Sequence, residues 1–435
     1  MKDLRREALE ALLDITERGA YANLRLKKGL EGLSQRDARW VSAAVYTTLD
    51  HLLYIDYILA AFAKGRIQPA IRGVLRLGLS QVLFMNVPDN AACDESVSLC
   101  KRIGKGALSG YVNGVMRAVC RQKENLPALP KKSADRLSVK YSWPLWLVQE
   151  YLERYGETFT EAMLAGQPYS GMTLRAQRPF TLEDLAASLQ AQGTTFQRGV
   201  WCSEALRLAG GVNVGQAPWY IEGQGTVQSE SAMLVCRLLE AAPGMGVLDA
   251  CAAPGGKTSY LSQLMKGTGH IDAWELHPHR CKLLQSTLKR LHVENASVAA
   301  RDASVFDPAL ENTYERVLVD APCSGLGIPG KPDVRYAKSD GIIQTLAAVQ
   351  ADILHACASY VRPGGVLVYA TCTISYRENE GQIQRFLQEH SEFHPGNMDV
   401  LPPALRERAR NGMVQLFPHL DCTEGFFMAR LEKQP

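Results

Sequence analysis

Leu248-Asp249-Ala250-Cys251-Ala252-Ala253-Pro254-Gly255-Gly256-Lys257-Thr258 joins an apolar strand-like run to a helix-like one, and the rest of the chain repeats that alternation. Helix Ala232–Leu239 leads into strand Gly246–Ala250, and helix 257–265 follows the glycine turn. Strand Ile271–Trp274, helix 278–292, strand Ala296–Ala300 and strand Arg316–Asp320 come next. A long loop, helix 342–360, strand Gly365–Ala370 and helix 377–389 precede an antiparallel finish, Gly425–Leu431. Strands and helices alternating at these lengths predict a doubly wound α/β parallel sheet. Gly255 and Gly256 let a ligand approach the backbone, and the following helix start offers unpaired N–H groups. The spelling Gly256-Lys257-Thr258 imitates a P-loop, but that motif needs glycine where Cys251 stands, and G-x-G-x-x-G is also absent. What remains is a loop for a small adenosyl ligand. Glu275 ends the second strand, where a carboxylate can accept both ribose hydroxyls, and Asp302 lies just past the third, placed for an adenine amino group. One such acid is usually a solvated strand end. Three at successive strand ends, counting Asp320, are harder to dismiss.

Two cysteine segments follow the same strand-then-loop pattern: Asp320-Ala321-Pro322-Cys323-Ser324 after Val317-Leu318-Val319, and Tyr369-Ala370-Thr371-Cys372-Thr373 after Val366-Leu367-Val368. Both stand at carboxyl ends of buried strands, where open α/β sheets place their ligands. Two thiols at one sheet edge beside a carboxylate suit covalent attack on an electrophilic ring carbon. A buried free cysteine is more often packing than chemistry. The residues alone do not order the two thiols, and Cys251, inside the ligand loop, reads as packing or backbone contact without chemistry.

At 435 residues the chain is too long for one core. Residues 1–125 carry apolar positions at three- and four-residue spacing (Leu9-Leu12-Leu13-Ile15, Leu52-Leu53-Ile55-Ile58-Leu59, Val74-Leu75-Leu77-Leu79-Val82-Leu83) and predict an all-α bundle. A linker is expected over 126–137 and a small α+β module over 138–230, with helices at Leu147–Tyr155 and Leu182–Gln192 and extended segments at Met172–Ala176 and Trp219–Glu222. The doubly wound domain then spans 231–435. Eleven cysteines without a C-x-x-C pair indicate neither a zinc site nor a disulfide frame. No run of 18 apolar residues and no apolar leader are present, so a cytosolic, metal-free monomer away from membranes is expected. The net charge of +3 conceals a division: residues 1–136 hold 22 Lys and Arg against 14 Asp and Glu, the remaining 299 hold 26 against 31. The basic front, with Lys101, Arg102 and Lys105, suits a phosphate-binding face, although a basic helical surface is often only solvated.

On these motifs, residues 231–431 resemble the S-adenosylmethionine-dependent RNA cytosine-C5 methyltransferases, in whose order the A-x-P-G-G-K, D-A-P-C-S and T-C segments occur here. With its helical front the whole chain resembles the bacterial RsmB-type members, which act on 16S ribosomal RNA and begin with a NusB-like RNA-binding bundle. The resemblance implies a class I, Rossmann-like methyltransferase domain with S-adenosylmethionine held by Cys251, Ala252, Ala253, Pro254, Gly255, Gly256, Lys257, Glu275, Asp302 and Asp320. It implies Cys372 as the nucleophile, Cys323 as the residue assisting adduct breakdown, and Asp320 at the cytosine edge. A paired cytosine hides C6, so the target should be single-stranded or flipped out.

The loop Gly325–Lys338 departs from the family: Ile328-Pro329-Gly330-Lys331 stands where one more residue and an arginine pair are usual. Lys331 and Arg335 are candidates to replace them on phosphate, against an equal case for a solvated loop. Gln228-Ser229 stands where Gln-Asp is frequent, so no role for that acid carries over. The same reaction on transfer RNA and a non-catalytic RNA-binding assembly factor are the alternatives. An amine N-methyltransferase is disfavoured because Cys323, not a second proline, follows Pro322.

Overall fold

The computed structural model describes residues 3–166, 171–328, 330–337 and 339–435. The chain forms two units, residues 1–166 with 331–339, and residues 167–330 with 340–435.

In the first unit the three- and four-residue spacing builds helices Leu4–Arg18, Ala22–Gly29, Gln35–Asp50, Leu52–Phe62, Pro69–Phe84, Asp89–Arg102 and Ser109–Arg121. Leu9, Leu12, Ile55, Ile58, Val74 and Leu75 lie in one core, each at most 1% exposed. Two boundaries differ from expectation. The linker predicted over 126–137 gives way to helix Ser133–Tyr141, and the helix expected over 147–155 runs Leu145–Ala165 and packs against it. The reason is pairing that neither segment displays alone: Arg136 meets Glu157 at 2.7 Å and Glu161 at 3.3 Å, tying the two helices together. Tyr57 Oη donates to the Ala128 carbonyl (2.6 Å), so even the proline-bearing stretch is pinned to the bundle.

The short helix Pro332–Ala337, reached from the cysteine loop, packs within this helical unit. Asp333, 4% exposed, accepts the Ala22 backbone N–H at 3.0 Å, capping a helix start that Tyr21 leaves uncapped. Arg335 donates to Asp50 (3.0 Å) and to the Tyr141 and Ser142 carbonyls, with its guanidinium 4.8 Å above the Trp143 ring. Its two terminal nitrogens thus face Asp50 and backbone carbonyls of the helical unit. Pro329 and Lys338 of the same loop lie outside the described residues.

The second unit holds two sheets. The smaller is antiparallel, in the order Phe196–Arg198, Ala205–Leu208, Thr173–Ala176, Gly225–Val227. Helix Leu182–Ala191 starts with a reciprocal capping box between Thr181 and Asp184. Trp219–Glu222, expected extended, is mostly the helical turn Pro218–Ile221: Pro218 presets the first helical φ and Trp219 is fully buried in the module's core.

The large sheet runs Phe393–Pro395, Phe426–Lys433, Val361–Thr371, Tyr314–Asp320, Gly246–Asp249, His270–Glu275, Ala296–Ala300, with Met413–Leu416 on the far side of Phe426–Lys433. The five strands from Val361–Thr371 to Ala296–Ala300 are parallel, and Phe426–Lys433 pairs antiparallel to Val361–Thr371. Helix Asp340–Tyr360 is apolar and long enough to cross a membrane by length and composition. Here it buries Ile343, Ile353, Leu354 and Cys357 in the interior.

Candidate active site

Strand order reverses between Gly246–Asp249 and Tyr314–Asp320, the point where an open α/β sheet parts its crossovers and leaves a crevice. The ligand loop is hung from both neighbours of its strand. Ala250 donates its N–H to the Leu318 carbonyl (2.9 Å) and Ala252 to that of Trp274 (2.8 Å). Gly255 starts the next helix at φ +105°, and a Cβ there would meet Leu284 Cδ1 at 2.8 Å, so glycine is required twice over.

The lysine and threonine of the false P-loop have other partners. Lys257 Nζ lies 2.6 Å from Asp320 Oδ2. Burial opposes the lysine charge, yet Asp320 holds the ammonium above the usual lysine range. Thr258 Oγ1 donates to Asp249 Oδ2 (2.7 Å), and burial pushes the fully enclosed Asp249 carboxyl up to about 6. Glu275, 4% exposed at its strand end, accepts the His277 N–H at 3.0 Å and faces Arg280 at 3.0 Å. Asp302 is exposed, and hydrogen bonds from the Ser304 hydroxyl and N–H hold its carboxyl below the usual range. Burial, with Cys357 and the acids Asp320, Asp249 and Glu275 nearby, holds the Cys251 thiol well above the ordinary cysteine range, and it packs against an apolar cluster.

This donor set fits an adenosyl ligand. Buried Asp249 Oδ1 and Gln228 Nε2 have no hydrogen-bond partner among the described residues. Gly256, at the helix start, keeps the backbone open where a Cβ would already touch the Gln228 amide at 3.9 Å.

Cys323 and Cys372 come from adjacent parallel strands in register, Asp320 opposite Ala370, and their sulfurs lie 3.2 Å apart. Both are half-buried. The Cys372 contact and burial together hold the Cys323 thiol well above the usual range, so Cys323 carries its proton at neutral pH.

Sequence reasoning missed the polar groups behind the cysteines. Glu378, fully buried, accepts the Ser324 N–H (2.8 Å) and hydroxyl (2.6 Å), and the Gln350 amide (3.1 Å). Asn379 donates to the Thr373 carbonyl (3.0 Å). The available signal was Gln350, a polar residue on the buried face of an apolar helix. Of the basic candidates, Arg102 is paired with Asp3 (3.0 Å) and Glu95 (3.6 Å), whereas Lys101, Lys105 and Lys331 are exposed. The lysines and Arg102 belong to the helical unit, and the thiols and acids to the second.

Residues 236–432 match the family described as 16S rRNA methyltransferase RsmB/F, residues 2–121 the NusB family, and residues 143–215 the ferredoxin-like domain of RsmF/B-like methyltransferases. The probable ribosomal RNA small subunit methyltransferase B of Bacillus subtilis is 35% identical over 444 residues, covering 98% of each chain. The chain belongs to the RsmB/F family of 16S rRNA methyltransferases. Membership fixes its front as a NusB domain and its second sheet as an S-adenosylmethionine-dependent methyltransferase domain. Among solved folds, PH0851 superposes with a TM-score of 0.80 at 24% identity, covering 98% of this chain and 99% of that one. NSun6 from Pyrococcus horikoshii, solved with SFG, gives 0.59 at 20% identity over 66% of this chain and 97% of its own.

Proposed function

We propose that this chain methylates C5 of a cytosine in 16S ribosomal RNA, in the cytosol, through a covalent cysteine–C6 adduct. The observation that carries the reading is the thiol pair 3.2 Å apart at adjacent strand ends, beside the Lys257–Asp320 ion pair. S-adenosylmethionine, held by the Cys251–Lys257 loop, Glu275 and Asp302, supplies an electrophilic methyl carbon. The chain's own groups prepare the base to receive it.

Cytosine C5 is a weak nucleophile until C6 is blocked. Cys372 adds through sulfur to C6, its proton goes to N3, and the pair displaced from the C5–C6 bond makes C5 enamine-like. Asp320, held by Lys257 at 2.6 Å, accepts hydrogen bonds from the N3 and N4 edge. Once C5 is methylated, the Cys323 sulfur takes the C5 hydrogen as a proton in the same step in which it gives up its own, and the C5–H pair re-forms the C5–C6 double bond. The C6–S pair returns to Cys372, which takes the proton Cys323 already carried, and the N3 proton is released. Both thiols end protonated. The raised Cys323 thiol reaches the release step with a proton in place for the departing Cys372 sulfur, and becomes a base for the C5 proton only as it gives that proton up.

Bisulfite sequencing of RNA from cells with and without this gene tests the reading. Loss of one protected cytosine in 16S ribosomal RNA is expected. Loss confined to transfer RNA would keep the chemistry and change the substrate, and no loss would leave the chain a binding factor.

A further inference from the structure

We propose that the adjacent residues Glu378 and Asn379 are a positioning pair that sets the spacing of the two active-site thiols and thereby controls release of the covalent RNA adduct; the inference rests on the covalent reading above. The two residues divide the work. Glu378 holds the segment around Cys323: its carboxylate takes the Ser324 N–H at 2.8 Å and the Ser324 hydroxyl at 2.6 Å. The Gln350 amide that donates to Glu378 at 3.1 Å also donates to the Pro322 carbonyl at 2.9 Å, so the residues on both sides of Cys323 are fixed. Asn379 holds the segment around Cys372: its amide oxygen accepts from Thr371 Oγ1 at 2.5 Å and its NH2 donates to the Thr373 carbonyl at 3.0 Å. Again the residues on both sides of one cysteine are fixed. Ser324 and Thr373 hydroxyls, 2.7 Å apart, close the link between the two segments.

Both members of the pair are fully buried. An enclosed carboxylate is retained at a cost unless its hydrogen bonds serve a geometry. Tyr369 Oη fixes the pair's own backbone by donating to the Glu378 carbonyl at 2.7 Å. The Glu378 charge also adds to the Cys372 contact and to burial in holding the Cys323 proton in place. Attack on C6 needs Cys372 alone, but the final step moves a proton across the gap between the sulfurs. Release is therefore the step most sensitive to their spacing.

The test uses full-length Glu378→Gln and Ser324→Ala with 16S RNA and S-adenosylmethionine, following methyl incorporation in one turnover and RNA retained on the protein in denaturing gels. Expected are first-turnover incorporation within about twofold of wild type, unchanged KM for RNA, and release slowed about tenfold, as for a displaced reacting group. A purely structural role would lower every step together and leave the ratio of retained to released RNA unmoved, which would overturn the proposal. Should Glu378→Gln fail to fold, Ser324→Ala decides alone. Cys323→Ala is run alongside. Adduct retained by Cys323→Ala, with wild-type release in both other variants, overturns the positioning role only. No adduct with Cys323→Ala overturns the covalent reading, and this proposal with it.

Discussion

Among the acids at the strand ends, burial singles out Asp249, which is fully enclosed with a carboxyl pushed up to about 6. A folded-state value above the unfolded one favours the protonated form in the native state. Its stabilising contribution is therefore complete below pH ~4 and is lost as pH rises through about 6, by about 3 kcal/mol at most. Asp249→Asn should remove that pH dependence: thermal unfolding from pH 4 to 7 should show wild type losing stability relative to the variant. Parallel curves would mean that Asp249 is ionised throughout. The sequence placed Asp320, Cys323 and Cys372 at one sheet edge because strand ends are legible from apolar runs. Nothing in it revealed that Lys257 is the partner of Asp320, or that Glu378 stands behind Ser324, since both contacts join residues more than 50 positions apart.

The five parallel strands of the large sheet and Phe426–Lys433 were legible in the sequence, whereas the short strands Phe393–Pro395 and Met413–Leu416 were not. Ala296–Ala300 has the expected bounds, and Tyr314–Asp320 extends only two residues beyond the expected start. A parallel strand buried on both faces announces itself in a short apolar run. Helix Ser133–Tyr141 did not, because two prolines precede it and its pairing with Leu145–Ala165 shows only once Arg136 meets Glu157 and Glu161. The helix Pro332–Ala337 was likewise read as loop, since its anchors are Ala22 and Asp50, some 300 positions away. Its cap gives a prediction at this scale. Asp333→Ala should cost about 1 kcal/mol of stability in denaturant unfolding. An unchanged midpoint would mean the cap contributes nothing.

Across the whole molecule, the excess positive charge lies in residues 1–136 and the thiols lie in the other unit. If the front is the RNA-binding part, salt dependence should report it. Arg102 is already paired with acids, so the informative change is Lys101→Gln with Lys105→Gln. Two lost phosphate contacts would lower the slope of log affinity against log salt by roughly 1.4–1.8. An unchanged slope would return both lysines to an ordinary solvated surface. A covalent route leaves a trappable adduct. Wild type, Cys372→Ala and Cys323→Ala are each incubated with 16S RNA and S-adenosylmethionine, then resolved on a denaturing gel. RNA should be retained by Cys323→Ala, not by Cys372→Ala, and only in trace by wild type. Retention by Cys372→Ala instead would reverse the roles of the two thiols, and normal turnover by Cys372→Ala would contradict a covalent mechanism altogether.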